Sequence, residues 1–554
     1  MCYDIIGEYY RKVLWWCFYV FGIKLMNSAL IIQKEFKRRK IMKKTIVSLF
    51  LAIMVVISCC ACNSTTVTTD TESWVEGGNS TTIDSSSVSG DNSGNGSGSN
   101  TGSNTGSNSS QGSSSNSKIE NPLDVDLKGA TITVYQGDAA FSSFLVSEQN
   151  TKTRKNYQEI LDTVQKKLNC KIVVKSVTEE KLRSQITASA ASGKALCNIA
   201  TTRMTNLGYY ISAGVLADMT RLSSMDLSKD YMNRLNMLNA SELGGAKYAV
   251  CSEDGRRAWV TLYNKRILKE LGYEDDYLYN LVDSKKWNYT NCRNIGKKAM
   301  KDLDGKSGMS EADQWGFLFT DHSVMTSNAI LNNGGALVKH NQDGYLSYNM
   351  LDDKVVSAVS LMSDFYLKDG TVCRLISNWQ DRQAAFATGH SLFSFQTLEH
   401  VASVSSNMSD EFGLLPIPMM DGSSNYNSVL DWNADAITIL AGQSSKEQYN
   451  SGAVIQALLS LCDKNADVYQ KEMATRYLCD DESAKNMKIA IGFCKANVEA
   501  VYGNTNETIL SGTYRPFWNC VEGGKSFVTA CEETKSATVK ALDELNATAK
   551  KNKS

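Results

Sequence analysis

A stretch with almost no apolar side chains divides this chain of 554 residues. Residues 63–117 are nearly all Ser, Thr, Gly, Asn and Asp, and residues 94–110 repeat Gly-Ser-Asn and Thr-Gly-Ser units. Such a segment has little apolar surface to bury and cannot offset its conformational entropy, so it predicts a disordered tether over residues 63–118. A Gly/Ser-rich coil of this length spans roughly 40 Å. The alternative interpretation is a linker between folded domains.

The segment before this tether has the pattern of an export signal. Met42-Lys43-Lys44 is basic, and the 14 residues from Thr45 to Ser58 are uncharged and mostly apolar. This run is too short for a comfortable membrane span. Val56-Ile57-Ser58-Cys59 resembles the lipobox of a bacterial lipoprotein signal peptide, and Cys62 is a second candidate for lipidation. We expect residues 42–62 to direct export and lipid anchoring; an uncleaved anchor helix is the alternative.

Two interpretations of residues 1–41 are open. Met42 begins a complete signal by itself, which favours translation from Met42 and makes residues 1–41 a mis-called extension. Alternatively, the apolar stretch Val13–Ile32, which Lys24 interrupts, is an additional membrane segment. We expect the mature protein at the extracellular face of the bacterial cytoplasmic membrane, held there by its lipid.

Composition excludes several classes of protein. The 42% hydrophobic and 21% charged residues exclude a wholly disordered chain and a multi-span membrane protein, and the length allows two or three lobes. Residues 1–44 carry a net charge of +7 and the remainder −8, so no nucleic-acid partner is expected. The four histidines, at positions 322, 340, 390 and 400, show no metal-site spacing, so we expect no metal and no cofactor.

The folded body, predicted over residues 119–554, opens with a strand–helix–strand–helix pattern. Polar and apolar residues alternate in Thr131–Tyr135, which predicts a strand, and residues 171–177 predict a second strand. Apolar residues at helical spacing from Tyr157 to Leu168 predict the helix between them, and Gly193 ends a second helix. This order within about 65 residues indicates an α/β fold with a parallel sheet.

Further segments along the body occur in the order found in one family of binding proteins. They are Gly244–Val250 (GGAKYAV), Leu262–Lys265 (LYNK) with Leu268–Gly272 and Trp287, Asn332–Leu337 (NNGGAL), Phe386–Gly389 with Ser391–Phe395, and Phe412–Pro418 (FGLLPIP). Together they resemble the extracellular solute-binding proteins of family 1, the sugar-type binding components of ABC importers, over roughly residues 128–540. Two positions depart from the family pattern: Cys197-Asn198-Ile199 replaces Pro-Asp-Ile/Val, and Trp287-Asn288-Tyr289 replaces Trp-Thr-Trp.

This resemblance implies a two-lobed periplasmic-binding-protein-like fold of type II, with hinged α/β lobes, a ligand cleft between them, and Trp259 and Tyr263 near the hinge. It also implies capture of a small polar solute, a carbohydrate or oligosaccharide, and its delivery to the permease subunits of an ABC importer. We expect a monomer. Two hinged lobes can desolvate a polar ligand on both faces, and the closed form is the state that a transporter can recognise.

Aromatic and polar side chains that suit a sugar occur where the family's chain re-enters the cleft. Rings pack on the apolar face of a sugar, while Asp, Asn, Gln and Arg pair with its hydroxyls. The first candidates are Trp432, Asn433 and Asp435 in a predicted loop. The second candidates are Trp379, Phe395, Gln396, Tyr514 and Trp518. The ends of the predicted strands add Gln136, Asp138 and Arg203. Core packing is the alternative for each aromatic residue, and loop capping or a surface ion pair for each polar one.

No sequence motif for catalysis occurs. Gly-x-Ser-x-Gly, a P-loop and a local Cys-His signature are all missing from the sequence, so we expect no enzymatic activity. The adjacent acids Asp275-Asp276, Asp352-Asp353 and Asp480-Asp481 are typical of helix starts or solvated loops. A glycan hydrolase would need two carboxylates about 5–9.5 Å apart across a cleft. A cell-surface glycan hydrolase and a non-transport surface binding protein of the same fold are the alternative functions.

Ten cysteines follow Cys62, and none of them forms a Cys-x-x-Cys motif. Exported proteins can oxidise their thiols, so one or two disulfides are one interpretation. Small buried hydrophobic side chains are the other, and the one we favour.

Overall fold

The structure, a computed structural model, describes residues 121–137, 144 and 152–551. The chain separates into two compact units, residues 1–109 and 110–554, and every described residue belongs to the second. The predicted extension, the signal with Cys59 and Cys62, and the tether over residues 63–118 lie outside the described residues. Within the described part of the chain, no helix combines the length and the apolar character that a membrane crossing requires.

Strands and helices alternate through this body. The strands are β1 (Ala130–Gly137), β2 (Cys170–Val177), β3 (Ile199–Arg203), β4 (Trp259–Asn264), β5 (Trp315–Phe319), β6 (Val338–His340), β7 (Leu346–Tyr348), β8 (Ser391–Thr397), β9 (Phe412–Pro416), β10 (Ser428–Val429), β11 (Asp435–Ile439) and β12 (Cys494–Lys495). The helices are α1 (Lys152–Lys167), α2 (Glu179–Ala191), α3 (Leu207–Ser212), α4 (Met237–Ala240), α5 (Lys265–Glu270), α6 (Tyr277–Asp283), α7 (Tyr289–Lys298), α8 (His322–Asn332), α9 (Asp353–Ser363), α10 (Trp379–Ala387), α11 (Val401–Asn407), α12 (Ser445–Lys464), α13 (Val468–Arg476), α14 (Asp481–Gly492), α15 (Val498–Tyr502), α16 (Glu507–Gly512), α17 (Tyr514–Gly523) and α18 (Phe527–Lys551).

The first lobe is built on a four-stranded sheet in the order β11-β3-β1-β2. In β1, Ile132 and Val134 are buried at alternate positions, and the apolar stripe of α1 covers the same core. The two strands and two helices predicted for this region are thereby confirmed. β1 runs parallel to β2 and β3, but β11 is antiparallel to β3. The sheet is therefore mixed rather than parallel, because a strand from much later in the chain completes its edge.

The second lobe is built on a four-stranded sheet in the order β5-β8-β4-β9. β5 is parallel to β8, while β4 is antiparallel to both β8 and β9. Every residue of β4, β5, β8 and β9 is buried, the pattern of strands that are covered on both faces. The rings of Phe317 and Phe393 stack at 5.3 Å, and those of Phe319 and Phe395 meet edge to face at 5.0 Å. An aromatic core thus holds this sheet.

The chain passes from the first lobe to the second through residues 250–259 and returns through residues 429–435. Ala258 bridges Leu430 between these two crossing segments, and Val250 at the start of the first bridges Ile437 in β11, directly after the second. β3 of the first sheet ends at Arg203, and the parallel strands β5 and β8 of the second end at Phe319 and Thr397. The loops that follow these strand ends meet the crossing segments, and the candidate site forms there.

The adjacent acids lie where helices begin. Asp276, Asp352 and Asp480 are the N-cap residues of α6, α9 and α14, which confirms their interpretation as helix starts. All ten cysteines of the described residues are free, and eight of them are buried, in agreement with their interpretation as small hydrophobic side chains.

Candidate functional site

Two adjoining cavities lie between the strand ends of both lobes and the returning segment 429–435. The smaller, of about 340 Å³, has the charged lining residues Arg203, Arg257, Asp321, Glu399 and Asp431, and we call it the polar cavity. The larger, of about 700 Å³, is lined by Tyr366, Trp432 and Trp518 among others, and we call it the aromatic cavity. Thr320, Asp321 and Trp379 line both. The two cavities therefore form one continuous cleft.

One wall of the aromatic cavity is a cluster of three rings. Tyr514 and Trp518 lie four residues apart on α17, hence on one face of the helix, and their rings stack at 5.7 Å. Trp432, in the loop before β11, lies 5.5 Å from Tyr514 and 6.3 Å from Trp518. Tyr514 is buried behind the two indoles. Among the described residues, the indole N–H of Trp518 has no acceptor, so a ligand can take it.

Trp379 stands at the junction of the two cavities. It is the first residue of α10, whose N-terminus Asn378 caps, and it is 42% exposed. Its ring stacks on that of His400 at 4.8 Å, which fixes the orientation of the indole. A large ring that stays exposed inside a cleft is typical of a binding surface.

Trp259 also lines the polar cavity. It is the first residue of β4 and is only 4% exposed. Its indole N–H finds no acceptor within the described part of the chain. Because a buried donor without a partner costs free energy, a ligand oxygen at this position would remove that cost.

Arg257, in the crossing segment 250–259, organises the carboxylates of the polar cavity. Its Nη1 lies 3.1 Å from Glu399 Oε1 and 3.4 Å from Asp431 Oδ1, and its Nε lies 3.9 Å from Glu253 Oε1. Burial raises the pKa of Asp431, and the Arg257 charge opposes that rise. Asp431 Oδ1 also accepts the backbone N–H of Asn433 at 2.9 Å, which fastens the loop that carries Trp432. The carboxylates are thus held ready to accept hydrogen bonds from a ligand.

Asp435 and Glu253 form a buried acid pair beneath this cleft. Both side chains are fully buried, and Asp435 accepts hydrogen bonds from Ser252 Oγ at 3.1 Å and Cys251 Sγ at 3.6 Å. Burial raises the pKa of Asp435 to about 7, against the hydrogen bonds from Ser252 and Cys251, and burial together with the Asp435 charge raises the pKa of Glu253 well above its usual range. The pair therefore keeps a proton near neutral pH.

The cleft brings together part of the predicted set of binding residues. Its lining includes Arg203, Trp379, Trp432, Asn433 and Trp518. The remaining predicted residues lie elsewhere: Asp435, Phe395, Gln396 and Gln136 are buried in strands and do not line the cleft, and Asp138 lies outside the described residues. Gln396 Oε1 accepts a hydrogen bond from Gln383 Nε2 at 3.0 Å within the second lobe.

Several lining residues were missed in the sequence. Asp321 and Glu399 follow the ends of β5 and β8 within two residues, so the strand-end rule that singled out Arg203 would have found both once these strands were assigned. Arg257 had no local signal, because its partners Glu399 and Asp431 are far away in the chain. Arg515, on α17 beside Tyr514, pairs with Glu507 at 2.6 Å with both side chains largely exposed, so the two form a surface ion pair.

A further cavity of about 760 Å³ lies between the β6–β7 hairpin and α18. It is lined by Tyr345, Asn546 and Lys550 among others. Asn546 exchanges two hydrogen bonds with the backbone of Leu346, and no lining residue described here has a buried polar atom without a partner. The cleft between the lobes, with its unused indole donors, is therefore the better candidate site.

A cluster of acids in the loop before β5 has a structural role. The carboxylates of Asp302, Asp304 and Asp313 approach within 4.8 Å of one another. Asp313 accepts the backbone N–H groups of Leu303, Asp304 and Ser310, and these bonds lower its pKa to about 2. Asp313 thus closes the loop through its own hydrogen bonds.

This fold and this cleft define a two-lobed solute-binding protein, and comparison with known proteins gives the family. The family model described as bacterial extracellular solute-binding protein matches residues 159–473, more than half of the chain, so the chain belongs to that family. The assignment made from the sequence motifs is thereby confirmed. A comparison with curated proteins finds no match.

Solved structures of sugar-binding proteins share the fold. The cyclic α-maltosyl-1,6-maltose binding protein from Arthrobacter globiformis is 13% identical, with a TM-score of 0.52 over 75% of this chain and 99% of that one. The sugar-binding protein MalE from Xanthomonas citri is 13% identical, with a TM-score of 0.52 over 76% and 98%. An extracellular solute-binding protein from Staphylococcus aureus, in complex with maltose, is 16% identical, with a TM-score of 0.51 over 75% and 98%. The predicted two-lobed fold is confirmed.

Proposed function

We propose that this protein captures a carbohydrate or oligosaccharide between its lobes and delivers it, chemically unchanged, to the permease of an ABC importer. The observation that carries the proposal is the exposed ring of Trp379 between two cavities that are lined by further indoles and by fixed carboxylates. The three solved structures described above are named as sugar-binding proteins or hold maltose, which supports the same class of ligand.

The cleft supplies both kinds of contact that a sugar needs. The rings of Trp379, Trp432 and Trp518 offer flat apolar surfaces for the C–H faces of pyranose rings. Asp321 and Asn433 offer acceptors and donors for hydroxyl groups. Closure of the lobes expels water and strengthens these hydrogen bonds, so the closed form is stabilised only when the ligand is present.

We place the folded body outside the cell on a lipid anchor. The pattern around Cys59 and Cys62 and the long polar tether support this location. Mass spectrometry of the protein isolated from membranes tests it: the expected mature chain begins at Cys59 or Cys62 and carries a diacylglycerol thioether. Recovery of a chain that still contains residues 1–41 would contradict both the start at Met42 and the anchor.

Titration calorimetry tests the class of ligand. We expect saturable binding within a panel of malto-, cello-, xylo- and manno-oligosaccharides, and no binding of peptides or inorganic phosphate. Trp379→Ala should weaken binding at least tenfold, because stacking on an exposed indole is lost. Leu303→Ala, at a residue that is 50% exposed and outside the cleft, is the matched control. Chromatography of the bound sugar should recover it intact, whereas turnover would favour the hydrolase alternative.

A further inference from the structure

We infer that the saccharide carries a basic amino group, and that the carboxylates of the polar cavity receive it. This inference rests on the proposed function, since it narrows the class of sugar that the same cleft takes. Asp321, Glu399 and Asp431 come from three separate loops of the chain and line one cavity. The charge of this cavity, together with its exposed indole, selects an ammonium group over a hydroxyl.

Each of the three carboxylates uses one oxygen atom within the protein. Asp321 caps α8 through Oδ1, which accepts two backbone N–H groups at 2.8 and 3.2 Å. Glu399 pairs with Arg257 through Oε1, and Asp431 pairs with the same guanidinium through Oδ1. Among the described residues, the second oxygen of each carboxylate accepts no hydrogen bond, so three acceptors remain for a ligand.

The charge of Arg257 is shared among more carboxylates than it can neutralise. Glu399 and Asp431 lie on its cavity side, at 3.1 and 3.4 Å from Nη1. Asp321, which lines the same cavity, forms no ion pair with any described residue. Arg257 thus pairs with two of the three carboxylates, and Asp321 has no counter-ion among the described residues.

The other basic groups of the cavity do not fully compensate the negative charge of its carboxylates. Arg203 lies beside Glu179, a half-buried acid that does not line the cavity: burial raises the pKa of Glu179, and the Arg203 charge opposes the rise. Arg203 and Arg257 together bring two positive charges to a cavity that three carboxylates line, so one negative charge remains. Burial lowers the pKa of His400, so its imidazole is neutral at pH 7 and adds no charge.

When the lobes close, the uncompensated negative charge of the cavity determines which ligand binds. A neutral sugar can donate hydroxyl hydrogen bonds to the free oxygens, but it leaves the negative charge uncompensated once water is expelled. An ammonium group donates three charge-assisted hydrogen bonds and cancels one charge. The exposed face of Trp379, at the border of the cavity, adds a surface that attracts a cation.

Calorimetry with matched pairs of sugars tests the inference on the full chain in mild detergent. The pairs are glucosamine with glucose, galactosamine with galactose, and glucosamine oligomers with cello-oligosaccharides, which differ mainly by an amine in place of a hydroxyl. We expect the amino member of the pair that binds best to bind at least tenfold tighter at low salt, and the ratio to fall as ionic strength rises. N-acetylation of that sugar should abolish the advantage.

Asp321→Asn separates charge from structure at this site. Asparagine caps a helix as well as aspartate does, so α8 is retained while the charge is lost. We expect affinity for the amino sugar to fall about tenfold and affinity for its neutral counterpart to fall much less, because the amide oxygen of asparagine still accepts a hydrogen bond from a hydroxyl group. Glu399→Gln should act in the same direction. Asp352→Asn, at the N-cap of α9 and outside the cleft, is the matched control and should change neither affinity.

The outcomes distinguish this inference from the function on which it rests. If a neutral sugar binds as tightly as its amino counterpart, or if Asp321→Asn weakens both equally, the inference is wrong and the sugar-binding function stands. If no member of any pair or of the oligosaccharide panel binds, the proposed function itself fails.

Discussion

Single side chains in this cleft are held in place by the protein but leave part of their hydrogen-bonding capacity unused. Asp431 is anchored by Arg257 and by a backbone N–H, and Trp379 is oriented by His400. Trp259 and Trp518 are oriented by packing, yet their N–H groups have no acceptor among the described residues. Because buried polar groups are normally paired, we expect a ligand to supply the acceptors for these two donors.

The indole N–H of Trp259, which has no acceptor among the described residues, gives a prediction for a single side chain. Trp259→Phe keeps an aromatic ring in the wall of the cavity and removes only the N–H. Since this group makes no bond within the described protein, thermal stability should change little, while affinity for the sugar should fall about five- to tenfold. Calorimetry and a thermal melt measure the two effects. A large loss of stability with unchanged affinity would assign Trp259 to the core instead.

The buried acid Asp435 predicts a dependence of stability on pH. Its pKa in the folded protein is raised to about 7, so its contribution to stability is fully present below the unfolded pKa near 4 and is lost as pH rises through 7. Asp435→Asn should therefore reduce the fall in unfolding free energy between pH 5 and pH 8 by roughly 2 kcal/mol. Urea unfolding at both pH values measures this, with Asp343→Asn in an exposed turn as the control.

At the scale of the elements, the crossing segment 250–259 depends on one glycine. Gly255 has φ +95°, and a Cβ there would come within 2.7 Å of the side chain of Ile491 on α14. Gly255→Ala should lower the unfolding free energy by roughly 2–4 kcal/mol, because strain and a clash add together. Gly193→Ala is the matched control, since its φ is +71° but nothing lies within 4 Å of the added atom. Equal losses of unfolding free energy in the two variants would show that the Ile491 side chain moves aside without cost.

The elements also show what the sequence could reveal. The alternation in β1 and the spacing in α1 are local patterns, and both elements formed where they were predicted. Trp432 and Asn433 were found because an aromatic and polar residues adjoin in one loop. Phe395 and Gln396 were grouped with them by composition, but β8 is buried on both faces, and alternation cannot show which face of such a strand meets a ligand.

At the scale of the whole molecule, the polar cavity depends on contacts between distant parts of the chain. Arg257 reaches Glu399 and Asp431 across 142 and 174 residues, and β11 completes the first sheet from beyond the second lobe. No local pattern encodes such contacts, which is why Arg257 could not be predicted while the fold class could. The local sequence motifs are sufficient to indicate the family, whereas the tertiary structure determines which side chains reach the ligand.

The two-lobed architecture predicts a change of shape when the sugar binds. Because the cleft is lined by both lobes and by the segments that connect them, a ligand held between them favours the closed arrangement. Small-angle scattering of the purified protein should show a smaller radius of gyration with a saturating oligosaccharide than without it. Trp379→Ala, measured at the same sugar concentration, should lose most of this compaction because less ligand is bound. An identical scattering profile with and without a sugar that calorimetry shows to be bound would mean that the lobes do not close around it.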